Sequence, residues 1–299
     1  MKKNKLYSIL LLVCVTLISK AQLTTHQIFD SNGTLTSFED ILKKAQKADI
    51  ILFGELHDNP INHWLQLELT TELYKQKKQD IILGAEMFEA DDQIVINEYL
   101  SGKISEKTFK EESKLWNNFA TDYKPLLDFA KKNKLNFIAT NVPRRYANMV
   151  YNKGISILDS LSDESKKWIA PLPFPYDPNE KAYKEIFENA GGHGGENLPK
   201  SQAIKDATMA HFITTNLSKG KTFIHFNGAY HSNNHSAIEW YLKQYKAGLK
   251  IVVISSVEQD NINLLEKENI NLGDFIICTP INLTKTYKWS EEWLLINDK

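Results

Sequence analysis

The chain has 299 residues, a formal net charge of −1, 42% hydrophobic residues and 11% aromatic residues. That much apolar and aromatic sequence, with no low-complexity tract, excludes intrinsic disorder. The balance of 36 basic against 37 acidic side chains, spread along the chain, excludes a dedicated surface for nucleic acid or anionic membrane.

The N-terminus comes first. Lys2, Lys3 and Lys5 precede an apolar run from Leu6 to Ile18, and Ser19-Lys20-Ala21 offers small residues where a signal peptidase reads. The pattern predicts an export signal over residues 1–21, with cleavage after Ala21. The run is too short for a permanent membrane span, and Lys, Asp or Asn interrupts every later one, so the mature chain is expected to lack a transmembrane segment. Val13 is bulkier than the residue a lipoprotein peptidase prefers before a cysteine such as Cys14, and apolar sequence continues beyond it. Lipid anchoring is therefore not expected, and the location is read as periplasmic or extracellular. Loss of Lys2, Lys3, Lys5 and Lys20 leaves 32 basic against 37 acidic residues, a net charge of −5, and leaves Cys278 without an intrachain disulfide partner.

Residues 22–299 read as one domain. Asp49 to Phe53 is a buried-strand pattern, followed by an amphipathic helix from Ile61 to Lys77. Asp80 to Ala85 repeats the strand signal before helical sequence from Asp91 to Leu100. A further helical stretch covers Ser105 to Lys134, and Leu135 to Thr140 is a third strand. Such alternation predicts parallel strands joined by right-handed helical crossovers. The middle, Ile155 to Gly195, is different. Pro171-Leu172-Pro173-Phe174-Pro175 suits neither helix nor central strand, and Gly191-Gly192-His193-Gly194-Gly195 reads as a turning loop. With one helix near Glu180 to Asn189, this segment is read as an insertion or lid. A helix from Lys200 to Leu217 and a strand from Thr222 to Phe226 follow. A helix from His235 to Tyr245 and strands at Lys250 to Ser255 and Asp274 to Cys278 close the chain. The expected fold is α/β, a mostly parallel central sheet with helices on both faces and a helical, proline-rich insertion.

Polar residues gather where these strands end: Glu55 and His57 after the first, Glu86 after the second, Asn141 and Arg144 after the third, His231 after the fourth. In an open parallel sheet those ends share one edge, where α/β proteins place their sites. In Gly54-Glu55-Leu56-His57 the carboxylate either shares a metal with the imidazole, orients it for base chemistry, or merely caps the helix near Asn59-Pro60. Glu86, within Leu83-Gly84-Ala85-Glu86-Met87-Phe88, either meets a cation or metal or lies just beyond the strand in solvent. Asn141 is a candidate cap for a helix begun by Pro143. Arg144 and Arg145 are the only arginines, and their fork geometry points to an anionic group beside the crevice. Gly228-Ala229-Tyr230-His231 repeats the Gly-x-x-His arrangement of residues 54–57, so the two turns can present two imidazoles to one ion or substrate. His225 reads as a core histidine, His63 as a supporting residue behind the site, and His211 as a surface residue. Phosphate-loop, dinucleotide and serine-hydrolase motifs are absent.

With those segments in hand, the chain resembles the ChaN-like family of haem-binding, iron-regulated lipoproteins, which is grouped with the Tiki proteases and erythromycin-esterase-like hydrolases. The resemblance rests on residues 52–59, Glu86-Met87-Phe88, Asn141-Val142-Pro143-Arg144, residues 202–210 and Gly228-Ala229-Tyr230-His231. Trp116, Tyr123, Pro125 and Ala130 fall where the family has a similar set, and the likeness runs from about Asp49 to Val257. Its ChaN-like branch implies haem bound through Tyr and His at an exposed or dimer-facing surface, with Tyr123 first and Tyr230 second as ligand, and His193 and Asp206 nearby. A homodimer is one arrangement it allows. Its Tiki-like branch implies instead a divalent transition metal held by His57, Glu86 and His231. In that reading Glu55, His57, Glu86, Asn141, Arg144 and His231 serve hydrolysis of an ester or peptide bond.

Overall fold

A computed structural model describes residues 24–190 and 194–288. The predicted export signal and Cys14 lie outside the described residues, as does His193.

Eight strands form one sheet. They are β1 (Gln27–Asp30), β2 (Leu35–Thr36), β3 (Ile50–Glu55), β4 (Ile81–Glu89), β5 (Phe137–Asn141), β6 (Thr222–Gly228), β7 (Ile251–Gln259) and β8 (Phe275–Pro280). Their spatial order is β2-β1-β8-β7-β3-β6-β4-β5. The six strands from β8 to β5 run parallel, and β1 and β2 complete the other end antiparallel. The strand alternation predicts the parallel part. It does not predict β1, β2 or the helix after them, α1 (Phe38–Ala45), which Ser37 caps through the Asp40 N–H. Four- and two-residue strands carry too little pattern to stand out.

Because β3 is buried on both faces, its residues alternate between two cores. Ile51 and Phe53 pack with Leu65, Leu69 and Leu73 of α2 (Pro60–Lys77), with α3 (Gln93–Leu100) and with α5 (Lys124–Asn133). Ile50 and Leu52 face α6 (Arg144–Lys153), α9 (Asn197–Asn216) and α10 (Ile238–Tyr245) on the opposite side. The insertion adds α8 (Lys181–Asn189), through Ala182 and Tyr183, to this second face, while the short α7 (Asp163–Lys166) connects its Leu158 and Ile169. There Phe174 of the proline-rich segment is buried, and Tyr241 donates to the Pro175 carbonyl at 2.8 Å.

Two local expectations differ. The helical stretch read over Ser105 to Lys134 is broken: α4 (Glu106–Glu112) ends, a wide π-type turn covers Phe119–Tyr123, and α5 starts afresh. Pro125, in the first turn of α5, has no N–H to continue a preceding helix. Glu86 is not past its strand but inside β4, where the register with β5 shifts between Ala85 and Glu89. Its carboxylate is buried against His231 and the Gly228 N–H rather than solvated.

Candidate functional site

Glu55 is the last residue of β3 and almost wholly buried. One carboxylate oxygen accepts from Tyr123 at 2.8 Å and lies 2.9 Å from His57 Nδ1; the other accepts from Gln66 at 2.5 Å. Burial opposes its ionisation, but the nearby His63 and His57 charges and the His57 and Gln66 hydrogen bonds outweigh it and hold the carboxyl low. α2 supplies Gln66 and His63 because Asn59 caps it, accepting from the Ile61 and Asn62 N–H groups, with Pro60 in its first turn. His63 Nε2 sits 3.1 Å from the His57 carbonyl and 3.5 Å from Asp122. Trp116 meets the His57 ring edge-on at 4.9 Å between centroids. Thus Glu55 orients His57 and does not cap the helix.

The second half is built around His231. Its Nδ1 lies 2.5 Å from Asp206 of α9 and its Nε2 3.2 Å from Glu86. Facing a carboxylate with each nitrogen makes both nitrogens donors. Burial alone would lower the His231 pKa, yet Glu86 and Asp206 push it up to about 10. Burial opposes ionisation of Glu86 too, but the His231 charge and hydrogen bond depress its carboxyl far below the usual range. Asp206 is held above its ordinary value by burial, even though it also accepts from Tyr183 at 2.9 Å.

The halves meet at Gly228, which β6 pairs with Glu55 and whose N–H donates to Glu86 at 2.8 Å. A Cβ at position 228 would lie 2.7 Å from His57 Nε2, so only glycine lets β6 and His57 approach. Gly54 has the matching role, with the Ala229 backbone 2.9 Å from where its Cβ would be.

The sequence matches the family described as haem-binding uptake, Tiki superfamily, ChaN, over residues 41–242. The chain belongs to this family. No curated protein matches it. Among solved structures, one titled for cofacial haem binding to ChaN of Campylobacter jejuni matches with a TM-score of 0.63 at 18% identity, covering 84% of this chain and 96% of that one. A mutant of the erythromycin esterase EreC, in its open conformation, matches at 0.50 and 10% identity, over 86% of this chain and 98% of that one. At such identities these likenesses concern the fold.

Within this ChaN-family chain, the crevice gathers Glu55, His57, Glu86, Asp206 and His231, all named from the sequence. Tyr123, expected first as haem ligand, lies beneath the crevice. It is 2% exposed, its hydroxyl is committed to Glu55, and burial followed by the Glu55 charge raises its pKa well above the ordinary value. Tyr230, next in sequence to His231, is 66% exposed. Asn141 ends β5 and does not cap α6, which begins at Arg144 with no side-chain cap; the Asn141 Oδ1 is buried without a partner. Arg144 is exposed, and Arg145 pairs with Asp91 at 2.7 Å.

The metal expectation finds no support in the structure. Among the described residues no three His, Cys, Asp or Glu side chains are grouped to hold an ion. His231, hydrogen-bonded to a carboxylate through each nitrogen, has no lone pair to give. His225 is the core histidine expected, bonded to Thr140 and Asn227 and depressed to about 4, chiefly by burial. Sequence reasoning did not single out Gln66, Tyr183, Asp122 or Lys205. The first three lie on helices and turns where nothing but the fold points them inward. For Lys205 the adjacent Asp206 was the available signal.

Proposed function

We propose that this protein binds haem at the crevice and serves haem or iron acquisition outside the cytoplasm. The family match over residues 41–242 carries the reading. The residues present fit the group. Tyr230 offers an exposed phenol next in sequence to His231, and phenolate is a known type of haem ligand. Export rests on the pattern of residues 1–21. A shared haem between two copies is the arrangement in which an exposed ligand is shielded from water. Titration of haemin into the mature protein should give a saturable Soret shift, weakened by Tyr230→Phe and left in place by Tyr123→Phe. A spectrum matching nonspecifically adsorbed haemin, without stoichiometry, would remove the proposal. Mass analysis of exported protein should find an N-terminus at Gln22, and light scattering with haemin should find a dimer.

A second reading is favoured by one observation: each crevice histidine has a carboxylate on Nδ1, at 2.9 Å for His57 and 2.5 Å for His231. That is the arrangement of a general base and its orienting group. In this reading His57 activates water and the His231 cation stabilises charge developing on an ester or amide oxygen. Chromogenic ester cleavage that disappears in His57→Ala supports it. Equal rates for the two proteins dismiss it.

A further inference from the structure

Two positive side chains at the Glu86–His231–Asp206 end of the crevice have no acidic partner of their own among the described residues. Arg144 opens α6 and is exposed, whereas its neighbour Arg145 is occupied by Asp91 at 2.7 Å. Lys205 precedes Asp206 on α9 and is partly buried. The charges of Glu86, Asp206 and Arg144 all reach it, and burial lowers its pKa.

Ionised Glu86 and Asp206 are matched by His231 and Lys205, and Arg144, whose charge reaches Lys205, adds a positive charge in excess. Two amides on the same elements point the same way. Asn141, at the end of β5 just before α6, has a buried oxygen without a partner. Gln202, one turn ahead of Asp206 on the same face of α9, is 5% exposed and also has an unpartnered oxygen. An amide rotated about its terminal bond can present N–H instead, which is what a carboxylate would accept from. α9 packs on both α6 and β5, the elements that carry or adjoin Arg144 and Asn141.

We propose that a carboxylate of the bound ligand docks between Arg144 and Lys205, so that the crevice selects acidic over neutral ligands. The identity of that ligand as haem, through its propionates, rests on the reading above; the anion subsite does not. Arg supplies a planar fork and Lys a point charge, a combination suited to one carboxylate entering from solvent.

The test compares haemin with haemin dimethyl ester, in which both propionates are neutral, on the mature protein. The wild type should bind the free acid about tenfold more tightly. Arg144→Ala and Lys205→Met should each abolish most of that preference while binding the ester unchanged. In parallel, citrate should raise the melting temperature of the wild type and not of the double variant. Arg144 is exposed, so its single variant keeps the fold and the comparison remains readable even if Lys205→Met is unstable. Equal affinity for acid and ester together with no citrate response overturns the subsite and leaves haem binding standing. A citrate response that needs Arg144 and Lys205, without haemin binding, keeps the subsite and removes haem as its ligand.

Discussion

Replacing His231 by Gln removes the cation shared by Glu86 and Asp206, which are 4% and 1% exposed. Removing one partner of a buried ion pair costs about 3–5 kcal/mol, because uncompensated charge stays behind. For a domain of this size each kcal/mol corresponds to about 2–4 °C of melting temperature. The penalty should also depend on pH, with a definite sign. The folded His231 pKa, about 10, exceeds its ordinary value of 6.5. Its stabilisation is therefore complete below 6.5 and is lost as pH rises through about 10, at up to about 1.4 kcal/mol per pH unit. Glu86, depressed in the folded state, contributes above its ordinary value of 4.5 and loses that contribution as pH falls through its folded pKa. In His231→Gln both carboxyls lose their cation and titrate higher. The variant should then be relieved by mild acid, so its deficit is largest near pH 7 and smaller at both pH 5 and pH 9.5. Urea denaturation of both proteins at these three values measures the difference. A deficit below about 1 kcal/mol, or one that is flat with pH, refutes a doubly paired imidazolium.

Gly228→Ala should displace His57, whose Nε2 would lie 2.7 Å from the new Cβ; overpacking of this kind costs about 1–3 kcal/mol. The His57 ring resonances should move while those of His225 stay, and unchanged His57 signals would contradict the packing. Tyr123→Phe strips Glu55 of its 2.8 Å donor and should cost about 1–3 kcal/mol by calorimetry, with the Glu55 carboxyl titrating higher. Thr286→Val removes the 2.6 Å hydrogen bond to Asp122, which in turn lies 3.5 Å from His63. It should cost about 1 kcal/mol and quicken hydrogen exchange in the His57 turn, whose Asp58 carbonyl accepts from the Thr286 N–H at 2.9 Å. Exchange unaltered there would mean that the C-terminal segment does not fasten the turn.

The parallel strands were legible because each is a short apolar run followed by a polar turn, and the strand ends then dictated which polar residues could meet. That logic placed Glu55, His57, Glu86 and His231 in one crevice from sequence alone. It failed where geometry depends on packing between distant elements. Tyr123 falls inside the helical stretch read over Ser105 to Lys134, and only the wide turn at Phe119–Tyr123 directs its hydroxyl to Glu55. Asp206 lies in the middle of a 20-residue helix buried along much of its length, where no local pattern separates a His231 partner from a satisfied core carboxylate. The antiparallel end of the sheet was missed for a plainer reason: β2 has two residues.

The sheet order explains why one glycine can join two differently charged halves. β3, β6 and β4 are consecutive neighbours, so the ends bearing Glu55, Gly228 and Glu86 are forced side by side. A carboxylate inside β4 breaks the rule that buried strands are apolar, at a cost that needs a cation and a donor to offset it. His231 supplies the first and the Gly228 N–H the second. Those same contacts give the two histidines different surroundings. His231 faces two carboxylates and holds its proton up to about pH 10, so at neutral pH it can stabilise negative charge but cannot take a proton. His57 meets the Glu55 carboxylate through Nδ1, and its other nitrogen lies beside Gly228. A negative group entering the crevice therefore meets a fixed cation on the α9 side and an oriented imidazole on the β3 side. That asymmetry is common to a carboxylate-bearing ligand and to a hydrolytic transition state.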